Sequence, residues 1–532
     1  MQKLIWNITI VLGVVLAGAL TTSCYDDKGN YDYIRLDEIV IDTTGLGVLP
    51  AYSLLRYDSL FIPVKIRYNG KEVQQDKNAP LDYVWTIYTT HTGAGLEYVT
   101  DTIGYSPDLN AEITSLAGNY QVQLTVTHRE TKVEHYFKIS CQVEESITAG
   151  WMLLYERADR PGTSDVGLVV NSLVKKNITQ GREYWNLYTA SNQAPLEGTP
   201  VRIQRPLVSL ASGTDQVICL TNKQLVSLNN ATFEKVYDFE HFFYTAPATV
   251  APKWYGPSGR MMNKHFLIND NKIHTVSYVS VTGGGNYMGD AKSADYGELA
   301  AWGSDVTASN DAVVYDQTNG RFYHIIQYTS QVVPFAAQNP DAAFDVNRVG
   351  MKMLMADWGR AGGNPMQGHD YAIMEKGNER YLIIANFCGN AADANVGLGL
   401  YNITNSPGIL KATSMAAAFL GEYVLYGAGN KVYNLAYNSS TTAIEAWTAP
   451  AANEEVTCVR LQKFYFASFM QAGIIPNANQ VVHIATYNKE TREGKLYQYR
   501  INPASGEITG EPFVYTVPGK VGDMAWKYVM EM

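Results

Sequence analysis

Cysteine and charge are both scarce in this chain: five cysteines occur in 532 residues, and Asp, Glu, Lys and Arg together make up 17%. Cys24, Cys141, Cys219, Cys388 and Cys458 lie far apart and form no CxxC pair, which excludes zinc-type ligand spacing and a thiol-nucleophile signature. HExxH, GxSxG and GxxxxGK[ST] are missing, and with them the metallopeptidase helix, the nucleophile elbow and the phosphate-cradling loop. The net charge of −10 argues against nucleic acid, a partner that wants a basic face. Helical periodicity is almost lacking too; the best candidate is a short helix near Ser414–Leu420.

What is present is tyrosine, with 37 copies against 16 Phe, in a composition that is 46% hydrophobic and otherwise ordinary for a globular protein. Tyrosine suits half-buried strands and wet binding surfaces, because its ring packs while its hydroxyl stays hydrated. The length is too great for one hydrophobic core and predicts at least two domains. The four cysteines beyond Cys24 sit on apolar strand-like segments such as Ile139-Ser140-Cys141 and Val217-Ile218-Cys219. Buried free thiols are the favoured reading, with two remote disulfides as the alternative.

The first thirty residues carry an address. Lys3 precedes a largely apolar stretch from Leu4 to Leu20, which ends in small polar residues and Cys24. The run is short for a membrane span and reads as a removable export signal over residues 1–23. A cysteine at that place predicts cleavage before Cys24 and acylation of its thiol, although Thr21 stands where such signals usually carry Leu. Residues 24–35 then form a polar tether. Within it, the acidic pair Asp26-Asp27 resembles the surface-export signal of Bacteroidetes lipoproteins, and Cys24-Tyr25-Asp26-Asp27-Lys28-Gly29-Asn30-Tyr31-Asp32-Tyr33 is similar to the start of the PKD-like family lipoproteins of that phylum. The resemblance implies an outer-membrane lipoprotein facing the cell exterior, in company with importers of the starch-utilisation type. It brings no catalytic residues with it.

Residues 36–146 alternate as short strands. In Gly118–Thr127, Tyr120, Val122, Leu124 and Val126 point to one face and Gln121, Gln123 and Thr125 to the other. Short strands around one central tryptophan, Trp85, predict an immunoglobulin-like β-sandwich, and the Gly118–Val126 stretch resembles the corresponding strand of PKD domains. Residues 147–532 repeat a different unit, pairs of apolar strands joined by polar turns. These hairpins fall at Tyr155–Val170, Ile218–Leu228, Phe266–Val276, Val313–Ile325, Tyr371–Ile384, Tyr423–Leu435 and Val481–Tyr499. Their spacing is that of propeller blades, so the fold class expected is all-β: a sandwich followed by a β-propeller of about seven blades.

Three glycine- and aromatic-rich inserts interrupt that rhythm, and they supply the candidate ligand-binding residues: Trp254 and Tyr255 in the first, Tyr287 and Trp302 in the second, and Trp358, Arg360 and His369 in the third. Aromatic faces on long loops stack on sugars or pack on peptide side chains; in a propeller they also wedge between blades. Asp305, Asp311, Asp357 and Asp370 are the carboxylates that a funnel-type hydrolase would need to converge. Asp393, Asn395 and Gly397 place oxygen ligands at alternate positions without a full calcium set, so no metal and no cofactor is expected. The expectation is a non-catalytic, surface-exposed binding lipoprotein, an accessory of an outer-membrane uptake system for oligosaccharide or peptide. A cell-surface propeller hydrolase or lyase acting on polysaccharide is the alternative.

Overall fold

The computed structural model describes residues 38–527 apart from short internal segments, the longest being 90–99, 206–215, 258–264, 276–286, 360–367, 389–394 and 464–475. The leader, Cys24, Asp26, Asp27, Arg360, Asp305 and Asp393 lie outside the described residues. What is described is nearly all β.

The amino-terminal sheets form a sandwich. One sheet has five strands in the order Ala51–Leu55, Glu134–Glu144, Gly118–His128, Leu81–Thr89 and Thr100–Gly104, with the first pair parallel. Smaller sheets of Ile39–Asp42 with Lys65–Tyr68 and Lys71–Glu72, and of Ser59–Ile62 with Leu109–Glu112, complete it. The alternation in Gly118–His128 is realised as expected: Tyr120, Val122, Leu124 and Val126 are buried, and the intervening side chains are half-buried. Trp85 is fully buried at the centre, its indole N–H satisfied by the carbonyls of Ser106 at 3.0 Å and Pro107 at 3.1 Å.

From Gly150 onward seven sheets follow one another as the blades of a propeller. Blade one comprises Gly150–Arg157, Thr163–Val170 and Arg182–Tyr184, and receives its innermost strand, Gly519–Lys527, from the end of the described chain. The innermost strands of blades two to seven are Pro200–Gln204, Pro252–Pro257, Leu299–Gly303, Lys352–Gly359, Ala412–Ala417 and Glu454–Leu461. Neighbouring innermost strands touch all the way round, and Glu454–Leu461 against Gly519–Lys527 closes the ring. Every hairpin expected from the sequence is the second and third strand of one blade, counted from the axis. Middle strands are covered on both faces by adjacent blades, which is why they read as apolar runs. The short helix expected at Ser414–Leu420 is instead the strand Ala412–Ala417. Its alanines suit a helix locally, but pairing with Val424–Ala428 gives its backbone tertiary partners that override propensity.

The sandwich is fixed to blade one. Leu55 is fully buried and packs with Met152, Leu168 and Phe233 of the propeller, a burial worth about 2 kcal/mol. Asp58 pairs with Arg182 of blade one while its other oxygen accepts the Leu55 N–H at 2.9 Å. Glu144 pairs with Lys175, and the fully buried Lys527 donates to the carbonyl of Ile147 with its ammonium 4.9 Å from the centre of the Phe233 ring.

Candidate functional site: the bulged central channel

In each of the seven blades the pairing between the innermost strand and its neighbour breaks register. The break falls between Pro200 and Arg202 in blade two, Pro252 and Trp254 in blade three, Leu299 and Gly303 in blade four, and Met353 and Met355 in blade five. It recurs between Ala412 and Ser414 in blade six and between Val456 and Cys458 in blade seven. In blade one the skipped residue is Gly522, since Val521 and Asp523 pair with consecutive residues. A bulge leaves one residue outside the ladder and re-aims its side chain. Here the skipped residues include Leu354, Thr413, Thr457 and Gly522, and all four line a single cavity on the propeller axis. Gly522 is needed where it stands, because a Cβ there would lie 2.6 Å from the Cβ of Pro200 in blade two.

The cavity measures about 330 Å³ and is walled by six blades, at the small end of the range for ligand sites. Blades three to five supply an aromatic and aliphatic wall of Trp254, Ala301, Trp302, Leu354 and Ala356; blades six, seven and one supply Thr413, Thr457, Arg460 and Gly522. The Thr413 hydroxyl donates to the Val456 carbonyl at 3.0 Å and the Thr457 hydroxyl to the Ala485 carbonyl at 3.4 Å. Arg460 donates from Nε and Nη2 to Asp523 at 3.1 and 2.6 Å, and from Nη1 to the carbonyls of Met415 and Val459 at 3.3 and 3.1 Å.

Two ion pairs tie blades together around this channel. Asp523 takes Arg460 from blade seven and the Ile203 N–H from blade two at 3.0 Å. Lys463, beyond the innermost strand of blade seven, reaches Asp357 and the Trp358 carbonyl of blade five and the Ala417 carbonyl of blade six, the last at 3.0 Å. Its ammonium also lies 4.6 Å from the Trp358 ring centre.

The residues singled out in the sequence separate into several places. Trp254 and Trp302 both line the axial cavity. Trp254 carries the Arg202 guanidinium at 3.7 Å on its ring, and Trp302 is 5% exposed and packs on Phe322 and Phe387. Tyr255 is fully buried between blades, with its hydroxyl 2.6 Å from His265 Nδ1. Tyr287 sits on the exterior beside Tyr244, ring centres 5.3 Å apart. Trp358 is at the end of its strand under Lys463, and His369 opens the second strand of the same blade, opposite Gly359. Those two therefore stand apart from Trp254 and Trp302. Much of what read as inserts is in fact innermost strand: Pro252–Pro257, Leu299–Gly303 and Lys352–Gly359. Bulged strands facing a channel lose the apolar alternation by which strands are recognised. The channel residues Leu354, Thr413, Thr457, Arg460 and Gly522 escaped for that reason; their one signal is position, a short stretch ahead of a hairpin.

Of the four carboxylates a funnel-type hydrolase would bring together, the described side chains are those of Asp357 and Asp370, and each is engaged within the fold. Asp357 is bound by Lys463, Asp370 accepts the Ser304 hydroxyl at 2.6 Å within blades four and five, and the side chain of Asp311 lies outside the described residues. Among the described residues no group of three or more His, Cys, Asp or Glu is placed to hold a metal ion. The four described cysteines are free and buried, as the sequence suggested. The buried histidines pack: His483 lies flat on Trp151 with ring centres 3.4 Å apart, and burial lowers its pKa well below the ordinary value.

Residues 24–200 match the model of the PKD-like family, a span that takes in the sandwich and all of blade one but its innermost strand. No curated protein matches the chain. Among solved structures, the chain is similar to a quinonprotein alcohol dehydrogenase-like protein from Bacteroides thetaiotaomicron, at 10% identity and TM-score 0.43, over 92% of this chain and 99% of that one. It is also similar to the WD40 domain of SCAP from fission yeast, at 9% identity and TM-score 0.35, over 59% and 77% of the two chains. A third is the PQQ-bound aldose sugar dehydrogenase of Streptomyces coelicolor, at 10% identity and TM-score 0.25, over 60% and 98%. These are likenesses of fold, and no activity is carried over from them.

Proposed function

We propose that this propeller protein is a lipid-anchored binding lipoprotein of the outer cell surface, an accessory of an outer-membrane importer of the starch-utilisation type, and that it captures oligosaccharide or peptide in the axial channel. The observation that carries the binding role is the coincidence of the bulges with the cavity. Residues skipped by the ladder in four blades turn into one space, which is how a rigid scaffold aims side chains at a ligand. Support for the anchor and for the location is the leader ending at Cys24 with Asp26-Asp27 behind it.

The test is a pull-down of the native detergent-solubilised protein, with mass spectrometry of co-purifying proteins and small ligands. Recovery of an outer-membrane importer is the expected result; a clean monomer overturns the accessory role. Cys24→Ala is expected to release the protein from the membrane fraction, and a variant that stays protease-accessible on whole cells and membrane-bound overturns the anchor.

A further inference from the structure

We infer that the axial channel accepts the neutral, hydroxyl-rich end of a glycan, about one hexose ring with its linkage, rather than an anionic sugar or a peptide terminus. This rests on the channel being the capture site, and it adds the chemistry of what is captured.

Three observations lead there. The first is size: about 330 Å³ is at the small end of ligand sites, room for a sugar ring with its linkage and not for a long chain. The second is the hydrogen-bond inventory of the polar wall. A guanidinium has five N–H groups, and four of those of Arg460 are engaged, which leaves one on Nη2. Thr413 and Thr457 spend their hydroxyl protons on backbone carbonyls, so what either oxygen can still offer a ligand is a lone pair. Gln317 and Ser414 also line the cavity; Gln317 donates to the Met353 carbonyl and accepts the Met353 N–H, both at 2.9 Å, and the Ser414 oxygen accepts the Val459 N–H at 2.8 Å. A guanidinium donor beside hydroxyl oxygens suits vicinal hydroxyls, which both give and take. The facing wall of Trp254, Ala301 and Leu354 offers the apolar contact on which the C–H face of a pyranose rests.

The third observation is charge. Arg460 is matched by Asp523 and Asp357 by Lys463, while the Arg202 guanidinium lies flat on Trp254 and donates to the Gln204 side chain. An anionic sugar or a peptide end would be desolvated in this space while the one charged side chain of its lining, Arg460, is already committed to Asp523.

The experiment is calorimetric titration of the intact detergent-solubilised protein with neutral hexoses, pentoses and their disaccharides, with glucuronate and galacturonate, and with dipeptides. Thr413→Val and Thr457→Val remove the hydroxyls at nearly constant volume, and Ala301→Phe fills the channel; thermal melting checks that each folds. Neutral sugars are expected to bind, about three- to tenfold more weakly in each valine variant and not at all in Ala301→Phe. Preferential binding of uronates or dipeptides that Ala301→Phe abolishes would overturn the ligand class and leave the channel as the site. Sugar binding that Ala301→Phe leaves unchanged, or no binding from any probe, would overturn the channel itself.

Discussion

Arg460 of blade seven and Asp523 of blade one meet at 2.6 Å across the seam where the propeller ring closes, and the second oxygen of Asp523 accepts the Ile203 N–H of blade two at 3.0 Å. One carboxylate thus joins three blades at the level of the channel. The strand that carries it, Gly519–Lys527, is separated from the rest of blade one by nearly the whole propeller sequence. Closing so long a loop costs entropy that local strand pairing does not repay until the ring is complete. The side chain that bonds both neighbours is therefore also the one that registers the last strand against the first.

Asp523→Ala is expected to lower stability by about 2 kcal/mol. Arg460 loses its partner and Ile203 its acceptor, while the 31% exposure of the arginine side chain keeps the loss below the 3–5 kcal/mol of a fully buried pair. Asp523→Asn keeps an acceptor for Ile203 and is expected to cost less. Urea midpoints measure both; equal midpoints for wild type and Asp523→Ala would remove the seam role.

The contrast between middle and innermost strands explains what the sequence made legible. Tyr371–Ile384 and Tyr423–Leu435 announce themselves because each strand is buried on both faces and the turn between them carries glycine and asparagine. Lys352–Gly359 does not, for its burial alternates irregularly around the bulge at Leu354 and its outer side chains meet the channel. Trp254 and Trp302 were legible as candidates because aromatic side chains stand out among glycine and alanine. Thr413 and Thr457 were not, since a threonine facing a channel looks like any strand threonine. Tyr255 shows the opposite failure: an aromatic in a glycine-rich stretch that serves only to pack between blades.

Acid should destabilise the propeller before its carboxylates titrate. Burial lowers the pKa of His265 to about 4 and holds that of His483 well below the ordinary 6.5. Both stay neutral in the folded state while the unfolded chain takes up protons below about pH 6.5. The unfolded state then binds more protons, so stability falls as pH drops from about 6.5 toward 4, by up to about 1.4 kcal/mol per unit for each histidine. His265→Phe is expected to flatten part of that slope in urea midpoints taken across the window. An unchanged slope would show that His265 is protonated in the fold.

The sandwich should melt with blade one. Asp58 has a side chain 1% exposed and holds Arg182 from the propeller, and Leu55 beside it lies in a propeller core. Asp58→Ala leaves Arg182 without that partner and the Leu55 N–H without its acceptor. Scanning calorimetry is expected to show one main transition in the wild type and an earlier, separate sandwich transition in Asp58→Ala. Two transitions already present in the wild type would mean that the junction does not couple the modules.

Thiol labelling reads the same coupling at single residues. Burial pushes the Cys141 thiol up to about 12 and the Cys458 thiol up to about 11, and the thiolate is the reactive form. Cys141 lies in the sandwich sheet and Cys458 in blade seven, both buried, so a disulfide reagent at pH 8 reaches neither until its module opens. With a reagent slow relative to reclosing, the labelling rate follows the free energy of that opening. If Asp58 and Arg182 lock the sandwich to the ring, Cys141 and Cys458 should become reactive over the same urea range in the wild type, and Cys141 should precede Cys458 in Asp58→Ala. Early labelling of Cys141 alone in the wild type would place the weakest point inside the sandwich and not at the junction. Simultaneous labelling in Asp58→Ala would shift the coupling onto the Leu55 contact and the Glu144–Lys175 pair, which that substitution leaves in place.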